Sequence, residues 1–418
     1  MSEQTFELGT ARALLKSPSF RRFWFAQFSA IMAAYSLTLA GLALVEEQTH
    51  SSAQTGLVIL SSILPAFLAS LLAGALVDRR GRVTVLLTSH ITRTICALAF
   101  WAGTLLLPPG PAVASIYLVN VAIAIMSQFA LTSELALVPD LVPKEHLISA
   151  NALLQLSMLA AEGIGIVALS PLLIKLWGVP AVGLVAAGLC LLSAFLVAHL
   201  PRDQTSDTQE QETEETWQKL GADLRAGWQT IARDRLLGSV VLQATLAAAL
   251  LLVLVSLLPG LASRHLGLNV EDVPYLMLPG GLGFVLGSIL MSRWEKGFSR
   301  QAWIGAGLTG VGLTTLLLGF LSGGNEYLWM VVLVIFGLGL TLSLVIIPAR
   351  TVLQERPPAE LRGRVISAQL ALGNAAAVVP LVLGGTLADH LGIQPVLAGL
   401  GLLTIVAGIL GLYQSRDK

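Results

Sequence analysis

Long apolar runs alternate with short polar breaks along almost the whole chain. Twelve runs reach about 20 mainly apolar residues, the length a helix needs to cross the hydrocarbon core of a bilayer. They cover 22–45, 55–77, 83–107, 112–138, 147–174, 179–200, 237–262, 273–292, 301–322, 326–349, 364–388 and 394–413. The breaks carry turn residues or charge, as at Leu107-Pro108-Pro109-Gly110-Pro111, Gly178-Val179-Pro180, Gly323-Gly324-Asn325-Glu326 and Gln394-Pro395. One polar stretch, 201–217, interrupts the rhythm in the middle; it is acidic, poor in apolar residues and expected to be disordered. Over 218–235, Leu220, Leu224, Trp228 and Ile231 recur at helical spacing, which predicts an amphipathic helix at the membrane surface. The pattern as a whole predicts an all-α membrane protein. A six-helix bundle spans 1–200, a linker 201–235, and a second six-helix bundle 236–418.

Composition agrees with that solvent. Only 12% of the 418 residues are charged, against about 25% in a soluble domain. Net charge is zero, which gives nucleic acid no basic surface to bind. The two cysteines, Cys96 and Cys190, supply neither a disulfide framework nor metal-ligand spacing, so no metal and no cofactor are expected. The first apolar run follows Arg21 and Arg22 and lacks a small-residue cleavage pattern, so it reads as a retained span rather than a signal peptide.

The basic residues orient the spans. With both termini in the cytoplasm, 22 of the 25 Lys and Arg fall on the cytoplasmic side, as the positive-inside rule requires. The three others are Arg93, within a span, and Lys175 and Arg264. A wrong span count would scramble this asymmetry.

The two halves repeat one another. Gly74-Ala-Leu-Val-Asp-Arg-Arg-Gly-Arg82 follows span 2, and the segment from Gly287 to Gly297 follows span 8. Pro143 to Ala150 opens span 5 and Glu360 to Ala368 opens span 11, and both contain Ile-Ser-Ala. Duplicated halves are a frequent plan of secondary transporters, whose substrate site lies near the midplane. In the loop after span 2, Asp78 ends the helix while Arg79, Arg80 and Arg82 crowd a tight turn at Gly81. Such a cluster can form ion pairs that hold one conformation and break in another, and the small Gly74 suits close helix approach. Gly74, Asp78, Arg79, Gly81 and Arg82 are therefore candidate cytoplasmic-gate residues; the alternative is a basic loop that serves topology alone.

Gly74 to Arg82 matches at every fixed position the G-x-x-x-D-R-x-G-R signature of the major facilitator superfamily, and the chain resembles that family over essentially its whole length. Four phrases look most like its drug:proton antiporter-3 branch, which holds macrolide-efflux-like and siderophore-exporter-like proteins. They are Leu15 to Trp24, Val138 to Pro143, Ser149 to Ala152 and Leu224 to Trp228. The resemblance implies a secondary transporter of the bacterial inner membrane, a monomer, exchanging protons for a small amphiphilic substrate. The chain departs from the branch in three places. Asn120 stands where span 4 often has Arg, Gly163-Ile164-Gly165-Ile166 where span 5 has Gly-Pro, and Ala33-Ala34-Tyr35-Ser36 where span 1 often has Gly-Asp.

A charge in the hydrocarbon core costs at least about 2.5 kcal/mol, so each one asks for a reason. Glu162 falls near mid-depth of span 5. Asn151 and Gln155, eleven and seven residues earlier, lie within about 40° of it around the helix. This polar stripe suits a water-filled cavity, with Glu162 as proton carrier or substrate contact; a hydrogen-bonded packing role is the alternative. Asn120, Ser127 and Glu134 form a second stripe on span 4, with Glu134 near the cytoplasmic end and expected to meet water. Arg93 needs a counter-charge or must snorkel, and Glu134 is one candidate partner in a buried ion pair. The spans of the second half hold no acid and offer only Gln243, Thr341, Ser343, Gln369 and Asn374. Glu46 and Glu47 are expected on a solvated outer rim.

Gly305 to Gly310 matches G-x-G-x-x-G but lies inside an apolar span with no preceding strand, which excludes dinucleotide binding and points to close helix packing. No set of catalytic residues is present, so no enzyme is expected. The leading expectation is a proton-coupled exporter of an amphiphilic or apolar small molecule. The alternatives are a lipid or lysophospholipid flippase of the same family and, more remotely, a membrane receptor or scaffold that binds without turnover.

Overall fold

The computed structural model describes residues 14–143, 146–201, 225–294, 299–321, 328–358 and 361–416. Among these residues, twelve helices are long and apolar enough to cross a membrane. In chain order they are α1 (Pro18–Thr49), α2 (Ser52–Arg80), α3 (Arg82–Leu106), α4 (Pro109–Leu141), α5 (Leu147–Gly163, continuing to Trp177), α6 (Val179–Ala198), α7 (Arg235–Gly260), α8 (Val273–Trp294), α9 (Arg300–Leu321), α10 (Leu328–Glu355), α11 (Arg362–Leu391) and α12 (Ile393–Arg416). They track the twelve apolar runs to within a few residues. Large apolar side chains such as Leu106, Leu118, Leu242 and Phe320 point outward and exposed, as lipid-facing positions require.

Two helices depart from a plain α-helix. In α5 the stretch Ile164–Leu169 is π-helical before α-helix resumes at Ser170–Trp177. Pro171 supplies the reason: it has no N–H to give, and its ring crowds the carbonyl four residues back. One wide turn absorbs that conflict without ending the span. α7 likewise ends in a π-helical turn, Leu261–His265, just after Pro259.

The chain packs as two compact units, one of Met1–Gln48 with Val58–Thr208 and the other of Thr49–Leu57 with Gln209–Lys418. The segment Thr49–Leu57, expected in the first bundle, thus groups with the second. Hydrogen bonding accounts for this. Asp389, near the end of α11, accepts from the Ser51 hydroxyl (2.6 Å) and from the backbone N–H groups of Ser52 (2.7 Å) and Ala53 (3.1 Å). Arg264 donates to the Ser52 hydroxyl at 2.5 Å, and Thr55 donates to the Ser256 carbonyl at 2.8 Å. The first turn of α2 therefore takes its cap from a residue more than 300 positions away.

Inside each unit the same packing recurs. α3 packs along α4 and α6; α9 packs along α10 and α12. The α5–α6 and α11–α12 turns both use a glycine at positive φ, Gly178 at 81° and Gly392 at 94°, followed by a proline in the next helix. The ends of the helices repeat too. Arg82, first residue of α3, pairs with Asp140 near the end of α4, and Arg300, first residue of α9, pairs with Glu355 at the end of α10. Each of these four charges sits at the unfavourable pole of its own helix dipole, and the pairing offsets both at once. The glycines of 305–310 do serve close packing: a Cβ on Gly305 would lie 3.0 Å from the Leu412 backbone nitrogen, and one on Gly310 2.6 Å from Thr341.

Of the amphipathic linker helix predicted over 218–235, residues 225–235 are described. Residues 225–233 are helical, and Asp234 then caps α7, accepting from the N–H groups of Leu236 (3.0 Å) and Leu237 (3.2 Å). Its packed face also differs from the expected one. Gly227 packs on the start of α11, where a Cβ on it would stand 2.3 Å from the Arg364 carbonyl oxygen, and Ile231 is buried as well, whereas Trp228 is exposed. Leu220, Leu224 and the acidic stretch 202–217 lie outside the described residues.

Candidate functional site

The polar groups of the first unit fall into two places. The first is the contact of α1 with α5. Glu162 is half-buried there, and the hydroxyl of Tyr35 faces its carboxylate. One turn further along, the Ser36 hydroxyl bridges the carbonyls of Met32 (2.8 Å) and Gly165 (3.1 Å). A Cβ on Gly165 would lie 2.7 Å from the Met32 carbonyl oxygen, so the two backbones touch where only glycine fits. Trp24 donates to Ser157 at 2.5 Å and ties the same helices together at another level. Glu162 therefore stands at the junction between a tightly packed α-helical stretch and the π-helical turn that begins at Ile164.

Asn151 and Gln155 are exposed, and Glu162 follows on the same side, while Ala150, Leu154, Ser157 and Ala161 form the buried face of α5. The predicted stripe is thus exposed at Asn151 and Gln155 and meets α1 at Glu162. Tyr35 was not singled out from sequence as a site residue. Its signal lay in the departure from the family pattern at Ala33-Ala34-Tyr35-Ser36: a phenol stands in span 1 where a carboxylate is common, and it meets the acid on span 5.

The second place is the interior of α1, α3 and α4, between two apolar layers. One layer is built around Leu37, Phe100, Ile116 and Val182, the other around Phe20, Phe23, Leu86 and Leu137. Gln27, His90, Arg93, Asn120 and Glu134 are all buried in this unit. Gln27 donates to Glu134 at 3.1 Å, and Arg93 donates to the Ala30 carbonyl at 2.7 Å. Two expectations change here. Glu134 is 7% exposed rather than open to water. Arg93 lies within electrostatic range of Glu134, but the two form no contact ion pair; Gln27 and a backbone carbonyl are their hydrogen-bond partners. Helix spacing explains this outcome, since each helix delivers its polar side chain at its own depth and the amide of Gln27 fills the gap. Glu46, expected on a solvated rim, is also fully buried, whereas Glu47 is exposed. His90 escaped the sequence reading although it lies one turn from Arg93.

In the loop after α2, Gly81 takes φ 81° and begins α3. Arg79 and Arg80 are exposed, and Arg82 pairs with Asp140. The side chain of Asp78 lies outside the described residues. Gly74 does not serve a close helix approach in this structure: a Cβ there would meet nothing within 4 Å.

The second unit offers little polar chemistry in its helices. Thr341 donates back to the Gly337 carbonyl (3.0 Å) and Ser343 to the Leu340 carbonyl (2.7 Å), so both hydroxyls are spent on their own helix. Gln243 is buried against Gly411, and Gln369 is half-buried; the Asn374 side chain lies outside the described residues. Among the described residues, no group of three or more His, Cys, Asp or Glu could hold a metal ion.

Known proteins resemble this architecture at two levels. By sequence, the chain is 26% identical over 386 residues to the uncharacterized MFS-type transporter YfiS of Bacillus subtilis, covering 90% of this chain and 88% of that protein. It is 32% identical over 162 residues to the enterobactin exporter EntS of Salmonella choleraesuis, covering 38% of this chain and 37% of that protein. By structure, it superposes on the nucleoside transporter NupG with a TM-score of 0.74 at 12% identity, covering 94% of this chain and 98% of that one. A bacterial homologue of the lysosomal transporter Spinster gives 0.68 at 14% identity, with 98% of each chain covered. The family model of the Major Facilitator Superfamily matches residues 23–380. With that match across most of its length and twelve helices in two repeated halves, the chain belongs to the Major Facilitator Superfamily and is a multi-pass membrane transporter rather than an enzyme.

Proposed function

We propose that the protein is a secondary active exporter of an amphiphilic or apolar small molecule, driven by exchange with protons, and that Glu162 carries the proton. The observation behind this is the placement of Glu162: a half-buried acid at mid-depth of a span, facing Tyr35 and standing two residues before a π-helical turn. Such wide turns recur at functional sites because they can shift register without breaking the helix. A carboxyl there can be neutral in one conformation and ionised in the other, with the phenol donating to it when charged. Asn151 and Gln155 extend its polar face toward the substrate path. Export as the direction draws on the partial likeness to EntS and on the antiporter-branch phrases.

The cluster of Gln27, His90, Arg93, Asn120 and Glu134 acts as an internal brace for the first unit rather than as the proton path, because its members are buried between apolar layers. Gly74, Asp78, Arg79, Gly81 and Arg82 form a gate on the cytoplasmic face. The open flank of Gly74 is where a second helix approaches in another conformation. Both termini lie in the cytoplasm, the membrane is the bacterial inner membrane, and the working unit is a monomer. A lysophospholipid flippase is the second reading, favoured by the wholly apolar cavity of the second unit.

The test is uptake of an amphiphilic dye or of lysophospholipid into proteoliposomes under an imposed pH gradient, comparing the native chain with Glu162→Gln. Gradient-driven flux that the variant loses at least tenfold supports proton exchange through Glu162. Equal flux in both, indifferent to pH, removes Glu162 from the mechanism and favours uncoupled lipid movement.

A further inference from the structure

A cavity of about 320 Å³ lies inside the second unit between α7, α8 and α10. None of its lining side chains carries a nitrogen or oxygen. Its floor is buried, with Leu257 and Leu261 1% exposed and Ile335 6% exposed. Its rim is open: Met277, Leu251 and Gly281 are exposed.

The hollow is built into the backbone. α8 and α10 already touch beside it, since a Cβ on Gly339 would fall 1.8 Å from the Gly280 carbonyl oxygen. The helices cannot close further to fill the space. At the next residue, Gly281, a Cβ would meet nothing within 4 Å. The nearby hydroxyls of Thr341 and Ser343 bond their own helix. A polar group placed in the cavity would lose its hydrogen bonds to water and gain none. A cavity lined only by apolar side chains stays dry and takes hydrocarbon.

We propose that this cavity seats the alkyl or alicyclic portion of the transported molecule. Its volume is about twice that of a cavity that holds benzene, so a hydrocarbon on the order of ten to twelve carbons fills it. This assignment rests on the reading of the protein as a transporter of amphiphiles and names the apolar half of the substrate.

The experiment is equilibrium binding of dansyl-labelled alkyl chains, from about six to about sixteen carbons, to the full chain held in amphipol. Affinity should tighten about fourfold per methylene, then level off near ten to twelve carbons once the cavity is full. Gly281→Leu places a side chain in the open space and should weaken the longer chains at least tenfold without lowering the thermal midpoint. Gly399→Leu, at an exposed glycine of α12 with open space around it, should bind as the native chain does. If Gly281→Leu lowers the midpoint, Met277→Trp at the rim takes its place, with the same loss expected.

Affinity that ignores chain length, or binding unchanged in a folded cavity-filled variant, overturns the proposal. Displacement by diacyl phospholipid as potent as by a single-chain amphiphile also overturns it, because the occupant is then bulk membrane lipid. Binding that follows the expected series without any flux of the amphiphile in proteoliposomes would sink the reading as an exporter of amphiphiles while leaving the cavity as a seat for alkyl chains. Flux that survives cavity filling would sink the cavity alone.

Discussion

The two halves share a frame and differ in what it holds. In both, the third helix packs along the fourth and sixth, a glycine at positive φ turns the fifth helix into the sixth, and an arginine at the start of the third helix pairs with a carboxylate at the end of the fourth. The interiors have little in common. The first unit buries a histidine, an arginine and a glutamate with two amides, and places Glu162 just before a π-helical turn; the second has a hollow lined by apolar side chains. The difference suggests a division of labour. Packing and end-pairing conserve the shape that both halves need, while the interior positions are free to specialise, one half in charge and the other in hydrocarbon.

The sharpest way to break this comparison is at the buried cluster. Arg93→Met removes the cation near Glu134 and leaves the buried Ala30 carbonyl without its hydrogen bond, and should cost about 1–3 kcal/mol, seen as a drop in the thermal midpoint of the purified protein. Arg93→Met combined with Glu134→Gln should recover much of that loss. If the single variant is as stable as the native protein, the polar interior is not a brace.

A smaller effect is expected at Asp234, which caps α7 and accepts from Arg356 at 2.7 Å. Burial alone would raise its pKa, but the Arg356 guanidinium and the two helix N–H groups outweigh it and hold the carboxyl below the usual range. Its contribution is therefore fully present above the unfolded-chain value of about 3.9 and is lost as pH falls through the lower folded value. Asp234→Ala should cost about 1 kcal/mol at neutral pH, and Asp234→Asn less, because Asn also caps. Thermal midpoints of the three proteins between neutral and acid pH decide it: the native advantage over Asp234→Asn must shrink in acid. Arg356 is half exposed, so added salt should shrink it as well.

The smallest effect sharpens the likeness of the halves. Double-variant cycles at Arg82 with Asp140 and at Arg300 with Glu355 should each give a coupling of about 0.2–1 kcal/mol, since all four side chains are at least a third exposed. Similar values in the two halves would support a duplicated device. A coupling confined to Arg82 and Asp140 would instead assign that pair to the gate loop.

The sequence by itself determined the solvent, the span count and the repeat. Those follow from composition and from apolar run length, which are properties of single segments and need no knowledge of neighbours. It also marked Glu162, because an acid at mid-depth of a span is visible as such. What it left open was which side chains meet. Tyr35 was noted only as a departure from pattern, Gln27 was passed over beside Glu134, and Glu46 was placed on a wet rim although it is buried. Arg93 and Glu134, matched by charge alone, bond elsewhere. The π-helical turn, the capping of α2 by Asp389 and the hollow beside Gly281 likewise came only with the tertiary structure. The physical reason is common to all of them. Depth and direction around a helix can be counted along one chain, but a contact needs two helices at a fixed offset, and that offset is set by packing between segments far apart in sequence.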